Sequence, residues 1–297
     1  MALSAALMWG FGATFFGMAG RRSDPVLVNI LRLPLGMILL GAAWFLTSHQ
    51  WWPDGVSARS HLWLGMSGAI GLAVGDSFLF YAISNIGPRR ALMVLAATPA
   101  FAAISAWLLL GETLDAQALA GMAIILGGIL VATAFRDAGG GEFRDLPPAM
   151  LRKGLSAALV CAVCSGVGNT FAKLGMSGAG ADLSPLAATL VRMMWATVAI
   201  SALAWWRRDT LVHLPRIAAA RVAWPLFGGL MLGPFIGMWF AISAIKMTDT
   251  GVATVLMNTV PLTVLLPSWL FHRDPPSRAA LAGIAIAMVG AVVLFLR

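Results

Sequence analysis

Ala118 to Val131 reads ALAGMAIILGGILV, and Ala280 to Val293 reads ALAGIAIAMVGAVV, the same motif 162 residues further on. Eight of the fourteen positions are identical, among them Gly121 with Gly283 and Gly128 with Gly290. The same offset carries Pro99 onto Pro261, Trp107 onto Trp269 and Glu112 onto Asp274. An offset held from Pro99 through Val131 marks an internal duplication, and what the repeated unit is made of decides the fold.

The unit is made of apolar helices. Sixty per cent of the 297 residues are hydrophobic and 11% are charged. The mean hydropathy is +0.86, far from the range of a soluble domain. Apolar runs of roughly 20 residues recur, each long enough to cross the hydrocarbon core of a bilayer. The 32 glycines and 15 prolines suit membrane helices, which pack closely through small residues and tolerate kinks stabilised by their neighbours. An all-α polytopic membrane protein is predicted. The net charge of +8 then reads as basic loops that set orientation, not as a nucleic-acid surface. Cys161 and Cys164 fall inside an apolar run, which speaks against a disulfide framework or a zinc site. His49, His61, His213 and His272 fall in loops or at helix ends, and no metal or cofactor is expected. Met1 to Ala19 lacks a basic leader segment and reads as the first span.

Ten spans are predicted, at about 2–18, 26–46, 62–83, 91–110 and 117–134, then 155–174, 186–206, 222–245, 251–270 and 279–295. The first repeat is residues 1–134 and the second 154–297. Between them lies a linker, 135–153, with Gly139, Gly140, Gly141 and the pair Pro147-Pro148. The other spans echo one another. Gly10 to Phe15 (GFGATF) answers Gly166 to Phe171 (GVGNTF), Pro25 with Arg32 answers Pro185 with Arg192, and Tyr81 to Ser84 answers Phe240 to Ser243. An odd number of crossings ends on the side opposite to its start, so the second copy must lie upside down. That is the inverted-repeat architecture of secondary transporters, with a site near the midplane where the halves meet.

Five plus five spans, a Pro-bearing fourth helix followed by Gly111-Glu-Thr-Leu114, and a fifth helix with Gly121 and Gly128 resemble the EamA family of the drug/metabolite transporter superfamily. The resemblance covers essentially the whole chain, although the second copy of the motif is reduced to His272-Arg-Asp-Pro-Pro276. It implies export of amino acids and other metabolites, or exchange of nucleotide sugars and phosphorylated sugars, across a bacterial inner membrane. Basic residues give the orientation. Fourteen lie in loops on the side away from the N-terminus and three on its own side, which puts both termini outside the cytoplasm. The resemblance implies cytoplasmic termini, and the charge count is followed here.

Ionisable groups inside spans are few: Arg32, Asp76, Arg192 and, near a helix end, Lys173. Arg32 and Asp76 lie about 9–10 Å deep from one side at 1.5 Å per residue. A pair between them would remove two isolated charges from the interior. It is read either as a fixed clamp or as a site where Asp76 exchanges its partner for a proton or a cationic substrate. Arg192 has no carboxylate at its level, the matching position being read as Phe235. Either a substrate anion neutralises it, or it snorkels to water or reaches Glu112. Lys173 reads as a snorkelling anchor. Neutral candidates for the cavity wall are Thr14, Asn29, Asn169, Thr170 and Asn258, with aromatic candidates Trp9, Tyr81 and Trp239. Pro99 and Pro261 are read as kinks, the latter three residues beyond Asn258.

No nucleotide-binding signature occurs, and no catalytic constellation sits at membrane depth. The expectation is therefore a secondary transporter, not an enzyme, moving a small solute by alternating access, as a monomer or homodimer. A small-multidrug or cation exporter with proton antiport is the alternative, and a channel or scaffold stays open as a reading of another class.

Overall fold

A computed structural model describes residues 1–20, 25–95, 97–134, 147–177, 183–206, 220–263, 266 and 278–295. Trp269, Asp274, His213, His272 and linker residues 135–146 lie outside the described residues, as do eight of the fourteen basic residues counted on the far side. All described regular structure is helical: α1 (Ala2–Gly20), α2 (Pro25–Ser48), α3 (Ala58–Ser67), a π-helical stretch π1 (Gly68–Gly75), α4 (Asp76–Leu95), α5 (Thr98–Leu110) and α6 (Ala116–Ala134). The second repeat holds α7 (Pro148–Met176), α8 (Pro185–Trp206), α9 (Ala220–Leu230), a second stretch π2 (Met231–Gly237), α10 (Met238–Met247), α11 (Thr250–Met257), α12 (Val260–Thr263) and α13 (Arg278–Phe295).

Five of these segments are long and apolar enough to cross a membrane: Asn29–Ser48, Ala58–Ile83, Pro148–Met176, Pro185–Trp205 and Trp224–Met247. Ala2–Phe16, Thr98–Leu110, Ala116–Val131 and Leu281–Val293 are apolar but shorter. Two expected spans are interrupted where kinks were read. Helix α4 stops at Leu95 and α5 starts at Thr98, with Pro99 in its first turn. Likewise α11 stops at Met257 and α12 opens at Val260, just before Pro261. Proline has no N–H to donate, clashes with the carbonyl four residues back, and is comfortable only in a first turn. Nearby side chains cap the carbonyls at each break. Thr98 Oγ1 donates to Leu95 O at 2.7 Å, Thr259 Oγ1 to Leu256 O at 2.8 Å and Asn258 Nδ2 to Thr254 O at 2.8 Å.

The repeated stretch packs on its own copy. Helices α6 and α13 lie against each other, and their shared glycines meet reciprocally. A Cβ on Gly128 would come within 2.6 Å of the Gly283 oxygen, and one on Gly290 within 2.8 Å of the Gly121 oxygen. Only hydrogen fits at either place, so the motif is duplicated because both copies serve one contact. Gly111, with φ of 68°, ends α5 in the left-handed conformation and donates to the last carbonyls of the helix. Asp115 Oδ1 then accepts from Ala118 N at 2.7 Å and starts α6.

The two repeats interleave rather than abut. Helix α1 packs chiefly on α9, π2, α10, α11 and α12 of the second repeat, and α7 on α3, π1, α4 and α5 of the first. Helices α2 and α8 pair across the halves, as do α5 and α11. The largest core cluster accordingly mixes Leu33, Leu40 and Leu64 with Leu190, Met193 and Ile242, all buried.

Candidate functional site

Each repeat contributes one π-stretch, and each stretch receives the first helix of the other repeat. In π1 the sequence is GAIGLAVG, with three glycines. In π2 it is MLGPFIG, where Pro234 supplies no N–H. Both compositions weaken the ordinary i to i−4 ladder, and wide turns of this kind are frequent at functional sites. Gly168 of α7 sits on Gly71, where an added Cβ would be 3.1 Å from the Gly71 Cα. Gly12 of α1 sits on Gly233, where a Cβ would be 3.2 Å from the Gly233 nitrogen. Gly71 and Gly233 are themselves 162 residues apart, the offset of the duplication.

The π-stretches end at Gly75 and Gly237, so Asp76 and Met238 open the following α-helices at matching positions. The sequence echo had matched Asp76 with Phe235. Three residues separate that alignment from the one the helices adopt, nearly one turn, which is why both registers look acceptable in the sequence.

In the first repeat the intramembrane charge is balanced. Arg32 of α2 donates through Nη2 to Asp76 Oδ2 in an ion pair. The guanidinium also lies over the rings of Phe16, at 5.9 Å from the centroid, and Phe80, at 5.6 Å, within reach of cation–π attraction. One turn earlier on α2, Asn29 is fully buried. Its Nδ2 donates to Ser77 Oγ at 3.2 Å and reaches toward Leu72 O at 3.5 Å. Together these contacts hold α2 against the end of π1.

In the second repeat the matching arginine has no carboxylate paired to it among the described residues. Arg192 of α8 is only 4% exposed. Its Nη1 reaches the Met238 sulfur at 3.7 Å, a weak acceptor, and its Nε has no hydrogen-bond partner. The first repeat closes on it through glycines. A Cβ on Gly68 would collide with the Arg192 carbonyl oxygen, and one on Gly71 would lie 3.2 Å from Nη2. Arg192 neither snorkels to the surface nor reaches Glu112. Glu112 Oε1 is instead paired with Lys173 Nζ at 2.6 Å. Its carboxylate also accepts from Thr250 N at 2.9 Å and Thr250 Oγ1 at 3.3 Å. Lys173 donates further to Thr248 O at 2.7 Å. The residue expected to be a lipid-interface anchor thus ties α7 to the end of α5 and the start of α11.

The remaining candidates divide. Asn169 Nδ2 donates to Thr254 Oγ1 at 3.2 Å, joining α7 to α11. Thr170 is fully buried and shares a hydrogen bond with Ser105 Oγ at 2.7 Å. Thr14 donates within its own helix to Gly10 O at 3.0 Å, and Asn258 turns back on Thr254. Trp9 packs at Gly237, where a Cβ would be 2.6 Å from its ring. Tyr81 and Trp239 are exposed, and neither makes a hydrogen bond or ring contact with Arg32 or Arg192. Trp239 stacks on Phe240.

Residues 1–134 and 152–296 match the model of the EamA-like transporter family. The chain belongs to that family. Among solved structures, one crystal structure is similar over 99% of this EamA-like chain and 95% of its own, with a TM-score of 0.77 and 23% identity, which speaks for the fold. No curated protein matches the sequence. The match falls on both repeats, each carrying its own π-stretch and its own span interrupted before a proline. Several residues of this EamA-like junction gave no signal in the sequence. Met238 and Gly71 are apolar in apolar runs, and Ser67, whose Oγ donates to Gly168 O at 2.6 Å across the repeats, looks like any small helix residue. An unmatched basic residue was the only available clue to Met238, since something must lie against it.

Proposed function

We propose that this protein is a secondary transporter of a small polar or amphipathic metabolite, working by alternating access. In this reading ten transmembrane helices form two inverted halves, 1–134 and 154–297, joined by the linker 135–153. The observation that carries it is the exchange of partners at the π-stretches. Gly12 meets π2 and Gly168 meets π1 in like manner, a twofold relation that an odd number of crossings turns into an inversion. Polar groups on the helices that meet around the π-stretches, Arg32, Asp76, Asn29, Arg192, Asn169 and Thr254, come from both halves, as a midplane site in a rocking carrier requires. Wide helical turns and broken spans next to such a site give it elements that move against each other.

In this reading the membrane is a bacterial inner membrane, and the excess of basic residues on the far side supports both termini lying on its non-cytoplasmic face. Export is the direction taken from the exporters of the family. Counterflow in proteoliposomes tests the mechanism: a carrier preloaded with its solute accumulates the labelled form and saturates, whereas a channel does neither. Membrane-impermeant thiol labelling of single cysteines at residues 3, 147 and 295, in a background with Cys161 and Cys164 replaced, tests the topology. Positions 3 and 147 found on one face would remove the inversion.

A further inference from the structure

The charges within the helices of this junction do not cancel, and their remainder specifies a ligand. Among the described residues, Asp76 is bound to Arg32 and Glu112 to Lys173. Arg192 is a buried base with no acid paired to it. It lies seven residues past Pro185 at the start of α8, about 10 Å along the helix. A guanidinium offers five N–H donors in a planar fork suited to a carboxylate. Here Nη1 meets only a thioether, and Nε meets nothing.

The seat around Arg192 is built for fixity. Gly68 admits its backbone against π1, Gly71 admits its guanidinium, and Gly168 lies 3.7 Å from the Cβ position of Gly71. The fork is therefore held between π1 of one repeat and α10 of the other, where relative movement of the repeats would open or close it. Asn169 follows Gly168 in α7 and carries a side-chain amide tied to Thr254 of α11.

We propose that Arg192 anchors the anionic group of the transported solute, and that this solute is a small monocarboxylate. The inference rests on the transport reading above and adds the substrate class to it. One uncompensated positive charge is neutralised by one negative charge. A cation would raise the unbalanced charge to two, and a dianion such as a phosphate monoester would reverse its sign, each leaving net charge in a low-dielectric interior. A carboxylate takes the fork bidentately and cancels it.

The test uses the full-length protein in nanodiscs at constant ionic strength. The probes are butyrate and benzoate, with butyramide and benzamide as neutral partners of the same shape. Both carboxylates are expected to raise the thermal midpoint of the wild type with saturation, and the amides are not. Arg192→Gln is expected to weaken carboxylate binding more than tenfold, Arg192→Lys to keep part of it, and Arg59→Gln, an exposed change on α3, to leave it intact. Should Arg192→Gln fail to fold, Met238→Glu serves instead: it gives Arg192 an internal carboxylate, and the shift by butyrate and benzoate is expected to vanish. Equal shifts from acids and amides, no shift from either, or a shift that survives in Arg192→Gln or Met238→Glu overturns the proposal. Counterflow of labelled benzoate separates the two readings. Carboxylate binding that depends on Arg192 without counterflow overturns transport and leaves the anion site. Counterflow of the amides, undiminished in Arg192→Gln, overturns the anion site and leaves transport.

Discussion

Arg32 and Arg192 stand at matching places in the two repeats, each on the second helix of its half and each facing the residue that follows a π-stretch. Around Arg32 the chain supplies a carboxylate and two aromatic rings. Around Arg192 it supplies a methionine sulfur and bare glycine backbone. The same scaffold has thus been made once into a closed ion pair and once into an open one. A duplicated fold lets one copy keep the architecture while the other departs from it, and on the proposed reading that departure is where the solute is held.

The comparison breaks most visibly at Asp76. Asp76→Asn leaves Arg32 without its carboxylate, and about 3 kcal/mol of stability should be lost in a denaturant titration in micelles. Replacing both partners, Arg32→Met with Asp76→Leu, should stay within about 1 kcal/mol of the wild type, because a buried pair contributes little over an apolar one. If the pair is a clamp, that double variant transports without change in its dependence on a pH gradient. Loss of gradient dependence would make Asp76 a coupling group instead.

Gly68→Ala comes next. Its methyl meets the Arg192 carbonyl, and an overpacked contact of this kind costs about 2 kcal/mol, read as a lower thermal midpoint. The matching residue in the second repeat is Leu230, already a large buried side chain, so the close approach belongs to the Arg192 side alone. Met238→Glu turns the second repeat into a likeness of the first, and a gain of about 1 kcal/mol in ligand-free stability is expected as Arg192 acquires a partner. A loss instead would mean that Arg192 is already compensated. The smallest effect is reserved for Gly127→Ala, whose Cβ would meet nothing within 4 Å. Its stability should change by less than about 1 kcal/mol, with helix propensity favouring alanine, while Gly128→Ala next to it should disturb the α6–α13 contact. Equal effects at 127 and 128 would refute that packing.

How far the sequence carried this picture depended on the range of the interaction involved. The duplication was written in the residues themselves, and the glycines that make it recognisable are those that touch. Depth arithmetic put Arg32 and Asp76 level and the structure joins them, although α4 runs on to Leu95, past the expected span end at residue 83 from which the depth of Asp76 was counted. The breaks before Pro99 and Pro261 were foreseeable as disturbances but not as ends, since whether a proline bends or stops a helix depends on what caps the carbonyls it frees. The π-stretches were not legible at all. A wide turn differs from an α-turn by one residue of register, which an apolar, glycine-rich run does not record. The Asp76–Phe235 misalignment has a separate origin, the short echo of Tyr81–Ser84 in Phe240–Ser243, which is three residues out of the register the helices adopt. The Lys173–Glu112 pair was missed for another reason: its partners lie 61 residues apart on different repeats, and nothing local in either sequence names the other.

The interleaving of the repeats has a consequence for how the molecule is made. Helix α1 leaves the ribosome some two hundred residues before π2, the segment on which it packs. For most of synthesis its Gly12 face meets lipid or the insertion machinery, and assembly waits for the last third of the chain. The first repeat is therefore an unfinished object, and severing the chain within residues 135–146 should yield two fragments that each degrade when expressed singly and survive when expressed together. Stable accumulation of the first fragment alone would show that the waiting helix had found a home without its partner.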